Sequence, residues 1–140
     1  MNDVLVIIPT YNEIENIDRI ISSIFRLYKD INILVVDDNS PDQTASKVIE
    51  LQATYKEKLY LQIRKVKSGL GPAYIHGFKW ALNKNYNFIF EMDADFSHDP
   101  KDIEYLYNAC KNGGADVSIG SRYKEGINVV NWPVGRIILS

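Results

Sequence analysis

Asp93-Ala94-Asp95 follows an apolar run, Phe88-Ile89-Phe90-Glu91-Met92. Two carboxylates one residue apart, where a buried strand surfaces, repel each other and lose hydration. The pair is tolerable only if a cation or hydrogen-bond donors hold its charge. Asp93, Asp95 and Ser97 put oxygen-bearing side chains at alternate positions, which suits a hard cation, Mg2+ or Mn2+, that also holds ligand phosphates. A solvated turn is the bland alternative. A calcium loop is a third reading, since Asp93, Asp95, Ser97, Asp99 and Glu104 fall near its ligand positions. It fails because His98 stands where the sharp turn needs glycine, and because the preceding segment reads as a strand rather than a helix.

Other segments carry chemistry-bearing residues. In Pro9-Thr10-Tyr11-Asn12-Glu13, Thr10 and Glu13 have the spacing of a capping box for a following helix, while Tyr11 and Glu13 could equally touch a base or ribose. Asp37 and Asp38 end a second apolar run; Asp38 could accept from a base or ribose and Asp37 could serve the loop. Lys67-Ser68-Gly69-Leu70-Gly71 is no dinucleotide loop, because Tyr74 occupies the third glycine position and the preceding segment is charged. Its glycines are expected to allow close backbone approach ahead of a helix. His76 reads as a packing or hydrogen-bonding histidine, lacking a second ligand at matching spacing. Arg122 and Arg136 could each hold a phosphate through paired hydrogen bonds, or simply form surface ion pairs. No Gly-x-Ser-x-Gly elbow or Cys-His nucleophile pair is present.

The elements that must position these groups are legible as alternating patterns. Val4 to Ile8 and Ile33 to Val36 are continuous apolar runs, as expected for strands buried on both faces. Between them Ile14, Ile17, Ile21, Ile24 and Tyr28 recur at helical spacing. Ser40-Pro41-Asp42-Gln43 predicts a helix start, with Ser40 capping and Gln43 completing the box. Strands are expected at Leu59 to Ile63, Phe88 to Met92 and Val117 to Gly120, and helices at Pro72 to Leu82 and, after an Asp99-Pro100 cap, Ile103 to Cys110. The alternation predicts an α/β fold, a mostly parallel sheet with helices on both faces. In such sheets ligands bind beyond the carboxyl ends of the strands, where the residues above fall.

The chain has 140 residues, 46% of them hydrophobic, and a net charge of −2, enough for one cored domain and without the basic block of a nucleic-acid binder. The single cysteine, Cys110, reads as a helix-face residue, and no Cys/His cluster has zinc spacing, which fits a reducing cytosol. No apolar stretch approaches the ~18 residues that span a bilayer, and the N-terminus does not read as a signal sequence. Beyond Gly120 the periodicity weakens and the chain stops after Ile137-Ile138-Leu139, so residues 1–140 are expected to be a domain truncated at its C-terminus.

Together these pieces resemble the inverting glycosyltransferase family 2, and within it the polyprenol (dolichyl) phosphate mannosyl synthases. The matching segments are Pro9 to Glu13, Val36 to Asp42, Gly69 to Gly77, Met92 to His98 and Gly120 to Tyr123. The resemblance implies a GT-A nucleotide-sugar-binding fold and metal-dependent transfer of mannose from GDP-mannose to a polyprenyl or dolichyl phosphate. It implies that Pro9, Tyr11, Glu13, Val36 and Asp38 line the guanosine pocket, that Asp93, Ala94 and Asp95 meet donor and metal, and that Asp95 with Ser97 ligates the cation. Many relatives carry glutamine where Ser97 stands. Arg122 would bind phosphate at the reaction centre and Arg136 the lipid phosphate. The acceptor would bring the protein to the cytosolic face of a membrane. A UDP-sugar transferase, a nucleotidyltransferase and an inactive nucleotide-binding fragment are the alternatives.

Overall fold

A computed structural model describes residues 1–121. The chain falls into two compact units, Met1–Ile103 and Glu104–Ser140. In the first, β1 (Val4–Thr10), β2 (Asn32–Asp37), β3 (Leu59–Ile63) and β4 (Phe88–Glu91) form a sheet in the order β3-β2-β1-β4. Every pairing in it is parallel. The central strands carry the continuous apolar runs because both of their faces are covered: all of β1 is buried, and so is β2 after Asn32. The edge strands β3 and β4 are mostly half-buried.

The crossovers are α1 (Ile14–Leu27), α2 (Thr44–Tyr55) and α3 (Leu70–Leu82). Helix α1 buries Ile17, Ile20, Ile21, Ile24 and Phe25, a broader stripe than the expected one. Helix α3 packs on Leu5, Ile7, Leu34 and Val36 through Ala73, Tyr74 and Ala81. The strand residues that point the other way, Val4, Val6, Ile8, Ile33 and Val35, are fully buried too. A Cβ on Gly77 would come 2.7 Å from Ile7 Cγ2, so the absence of a side chain there lets α3 lie close on β1.

Helix α4 (Asp102–Lys111) follows the Asp99-Pro100 turn as expected, with Asp99 Oδ1 accepting the Lys101 amide at 3.0 Å. In the second unit α4 ends in a tight wrap, Gly113 N–H to Asn108 O at 3.1 Å and Ala115 N–H to Ala109 O at 3.2 Å, with Gly114 at φ 73°. Cys110 is half-buried on α4.

Two expectations about elements are corrected. The second crossover helix starts at Thr44, not beside Ser40. Asp37 occupies Ser40 instead, accepting its amide at 2.8 Å and its hydroxyl at 2.6 Å, and Asp42 Oδ1 accepts the Thr44 amide at 3.0 Å. Residues 117–120 form no strand: among the described residues they have no ladder partner, and Val117 and Ile119 are 75% and 84% exposed.

Candidate active site

The β1 and β2 ends are tied together through their side chains. Thr10 and Asp37 are register partners, and Thr10 Oγ1 donates to Asp37 Oδ1 at 2.8 Å. Asp37 is thus a loop-building carboxylate, and Thr10 belongs to this strand-end bond rather than to a capping box. The first turn of α1 is capped from a distance. Ser40 Oγ accepts the Asn12 amide, Thr44 Oγ1 the Glu13 amide and Asp42 Oδ2 the Ile14 amide, each at 3.0 Å. Glu13 spends Oε2 on Asn16 Nδ2 at 2.9 Å. A depression of about 550 Å3 beside these loops is lined by Asn12, Ile14, Glu15, Asn16, Pro41 and Asp42, none of them an acidic residue from the β4 end.

Asp38 has different company. It is 5% exposed; its Oδ2 accepts the Ser68 amide at 3.2 Å, and Arg64 Nε lies 3.2 Å from its Oδ1. Charge proximity there is not matched by alignment, because Asp38 Oδ1 and Arg64 Nη1 are both buried without a hydrogen-bond partner among the described residues. A carboxylate and a guanidinium side by side, each with spare capacity, can meet a donor–acceptor edge such as that of a nucleobase. Lys67 Nζ sits 3.7 Å from the centroid of the Tyr11 ring, which draws the loop before α3 over the β1 end. Gly69 supplies a φ of 92° in that loop, and an added Cβ on Gly71 would meet nothing within 4 Å. The expected close backbone approach at Gly71 is therefore not made among the described residues. His76 is half-buried on α3.

At the β4 end, Asp93 Oδ1 accepts the Tyr74 hydroxyl at 3.1 Å and the Asp93 amide donates to His98 Nδ1 at 3.2 Å. Burial, then the charge and hydrogen bond of Asp93, raise the Tyr74 phenol above its ordinary range, so it remains a donor. Ala94 is buried at 3%. Asp95 is exposed, and its Oδ1 accepts the Ser97 amide at 2.9 Å. The Ser97 hydroxyl first, then that amide, hold the Asp95 carboxyl below its ordinary value, outweighing partial burial, and the His98 charge acts in the same direction. Phe96 is held at φ 61° with Arg19 over its ring, 5.2 Å from the centroid.

The donor set here fits a hard cation, since Asp93, Asp95 and Ser97 offer only oxygen. No group of three His, Cys, Asp or Glu side chains converges among the described residues, so a cation would complete its shell from ligand and water oxygens. Of the sequence-selected residues, Pro9 and Val36 are buried register partners, and Tyr11, Glu13, Asp38, Asp93, Ala94, Asp95 and Ser97 all lie just beyond the strand ends. Arg122 and Arg136 lie outside the described residues. Arg64, Ser68, Tyr74 and His98 were not selected from sequence. Arg64 follows β3 directly, and the carboxyl-end rule applied to that strand would have found it.

The sheet carries acidic side chains just past the ends of β2 and β4, and the chain belongs to glycosyl transferase family 2, whose model matches residues 5–138. It is 46% identical, over 97% of its length, to the polyprenol monophosphomannose synthase of Mycolicibacterium smegmatis, of which it covers 51%. It is 42% identical over 98% of its length to the undecaprenyl-phosphate mannosyltransferase of Micrococcus luteus, covering 55% of that protein. With the dolichol-phosphate mannosyltransferase of Pyrococcus furiosus it shares 46% identity over 98% of its length, covering 38% of that protein. The chain thus spans about half the length of these relatives, or less. Among solved structures, it resembles the mannosyltransferase PcManGT from Pyrobaculum calidifontis in complex with GDP-Man and Mn2+, with TM-score 0.53 and 29% identity over 56% of this chain and 24% of that one. S. aureus TarS 1-349 matches 87% of this chain and 40% of its own, with TM-score 0.64 and 20% identity. The fold is GT-A.

Proposed function

We propose that residues 1–140 are part of the catalytic domain of an inverting transferase that moves mannose from GDP-mannose to the phosphate of a polyprenyl or dolichyl phosphate, with Mg2+ or Mn2+. The observation that carries this is the placement of Asp38 after β2 and of Asp93 and Asp95 after β4, just past the carboxyl ends of parallel strands, in a chain 42–46% identical to three proteins named for mannose transfer to such lipids. Pro9, Tyr11, Glu13, Val36 and Asp38 would form the nucleoside side of the pocket, joined by Arg64. Asp93, Asp95 and Ser97 would hold the cation, which when bound offsets the charge of the diphosphate leaving group. Arg122 and Arg136 are proposed for the donor diphosphate and acceptor phosphate.

The acceptor phosphate is already ionised near neutral pH, so no general base is needed to make it a nucleophile. What the chain must supply is placement of two anions and neutralisation of their charge. A lipid-linked acceptor puts the reaction at a membrane surface, on its cytosolic face. Among the described residues no helix is long and apolar enough to cross a membrane.

Thermal-shift measurements with GDP-mannose, UDP-glucose and UDP-N-acetylglucosamine, with and without Mg2+ or Mn2+, test the donor. Ligand at about 100 Kd stabilises the folded state by about 2.7 kcal/mol. GDP-mannose with metal should give the largest rise, and Asp95→Ala should remove it together with metal-dependent transfer; near-normal turnover of that variant with Mg2+ would sink the assignment. A UDP-sugar donor is the second reading. It is favoured by TarS 1-349 in complex with UDP, which matches 66% of this chain and 27% of its own with TM-score 0.56 and 26% identity, and a larger shift with either UDP-sugar would establish it.

A further inference from the structure

We propose that Tyr74 is a positioning residue for Asp93, fixing one carboxylate oxygen so that the other is presented to the bound sugar nucleotide. This rests on the donor-binding reading above and gives α3 a part in it. The Asp93 main chain is already held: Met92 N–H donates to Ile7 O at 3.1 Å, and Asp93 N–H to His98 Nδ1 at 3.2 Å. Neither bond restrains rotation of the side chain. Among the described residues the Tyr74 hydroxyl is the only hydrogen-bond donor to that carboxylate, reaching Oδ1 at 3.1 Å.

Tyr74 is suited to this task. An ionised carboxylate is acceptor-only, so a donor on Oδ1 selects the rotamer and leaves Oδ2 to meet the sugar nucleotide and its cation. Tyr74 is 8% exposed, and its ring lies beside Phe78, with centroids 6.5 Å apart. Three residues on, Gly77 lets α3 sit against Ile7 of β1. The donor is therefore carried by a helix seated on the same strand that anchors Met92, and the distance between donor and acceptor is set by the core rather than by a loop. A pre-set carboxylate spares the ligand the ordering of a free side chain.

Tyr74→Phe, which keeps the ring and removes the donor, separates this role from packing. Calorimetric titration of the full chain with GDP-mannose and with UDP-glucose, both with Mn2+ in excess, should show the bound donor weakened about tenfold, the scale of a lost hydrogen bond to a charged group. The ligand-free urea midpoint should stay within about 0.3 M of the parent, whereas Tyr74→Leu, which loses the ring, should fall further. Unchanged affinity in Tyr74→Phe overturns the inference, as does a Tyr74→Phe midpoint as low as that of Tyr74→Leu, which would mark a packing role. If the parent chain binds neither donor, the donor-binding reading fails and this inference with it; normal binding by parent and variant alike removes only the inference.

Discussion

Gly77 offers the sharpest test of how the core sets the site. A Cβ at this position would lie 2.7 Å from Ile7 Cγ2, 3.0 Å from Cδ1 and 3.4 Å from Cγ1. Ile7 cannot retreat, since it is fully buried and its strand is paired on both sides, opposite Leu34 and opposite Glu91. In Gly77→Ala the helix must therefore lift until the 2.7 Å contact reaches the ordinary range, a shift of about 0.7 Å. Overpacking of this kind destabilises by about 1–3 kcal/mol, and the better helix propensity of alanine returns about 1 kcal/mol. The net loss is about 1 kcal/mol, a fall of roughly 0.5 M in urea midpoint. Ile7→Ala deletes all three contacting atoms and by itself should destabilise by about 2–5 kcal/mol. In that background Gly77→Ala fills part of the void and gains the propensity term, so it should stabilise by about 1 kcal/mol. The sign of the Gly77 effect thus reverses with the residue at position 7, and the two changes couple by about 2 kcal/mol. Urea unfolding of the four proteins measures this. A neutral or stabilising Gly77→Ala in the native background, or additive behaviour across the cycle, would refute the contact. Because Tyr74 rides on the same helix, Gly77→Ala should also weaken donor binding beyond what its stability loss explains.

Asp42 and Arg64 carry two further expectations. Burial pushes the Asp42 carboxyl up, but the Thr44 hydroxyl and the amides of Ile14 and Thr44 together outweigh it and leave it below the ordinary 3.8. Its folded value being the lower one, Asp42 stabilises the fold above about pH 4, and that contribution is lost as pH falls through the folded value. Asp95 acts with the same sign. Asp42→Asn should be less stable by about 1–2 kcal/mol at pH 7, with a shallower loss in acid unfolding; an unchanged acid limb would contradict the capping role. Arg64→Ala should destabilise by about 3 kcal/mol, because it leaves Asp38 buried without its countercharge. A loss below about 1 kcal/mol in urea unfolding would mean that water compensates the carboxylate.

Strand and helix identities were legible because burial writes them locally. Val4 to Ile8 is apolar throughout since both faces of β1 are covered, and the α1 stripe repeats at helical spacing. The helix starts were less legible because their partners are remote in sequence. Ser40, Thr44 and Asp42 serve the amides of Asn12, Glu13 and Ile14 across 28, 31 and 28 residues, whereas a capping box is sought at a spacing of three. Thr10 and Glu13 have that spacing and use it for nothing of the kind. Asp37 and Asp38 could not be told apart by type, since neighbouring residues at a strand end point to opposite faces and only the register places Asp37 beside Thr10. Val117 and Ile119 show the converse, an apolar alternation that finds no partner among the described residues. Tyr74 reads in the sequence as the residue that spoils a dinucleotide loop and as part of the Gly69 to Gly77 match, but neither gives it a partner, because its hydrogen bond to Asp93 exists only once α3 crosses the sheet.

The same cross-bracing explains how the chain tolerates an acidic edge before any ligand binds. Left-handed backbone occurs just past three strand ends, at Asn12 with φ 60°, Asn39 with φ 57° and Phe96 with φ 61°. Asparagine visits this region readily, but a bulky aromatic does so at a penalty of about 1–2 kcal/mol and must be held there. Phe96 is held by Arg19 over its ring, and further along the same loop the Tyr28 hydroxyl donates to Lys101 O at 3.2 Å. Both clamps come from α1 and the residue that ends it, and the N-terminus of α1 is fastened by the loop after β2. The turn that carries Asp95 is thereby tied through α1 to the loop that carries Asp38, and Asp93 is tied through Tyr74 to α3. Hydrogen bonds made within the chain thus hold these carboxylates in place, so ligand binding need supply the charge rather than the order of the site.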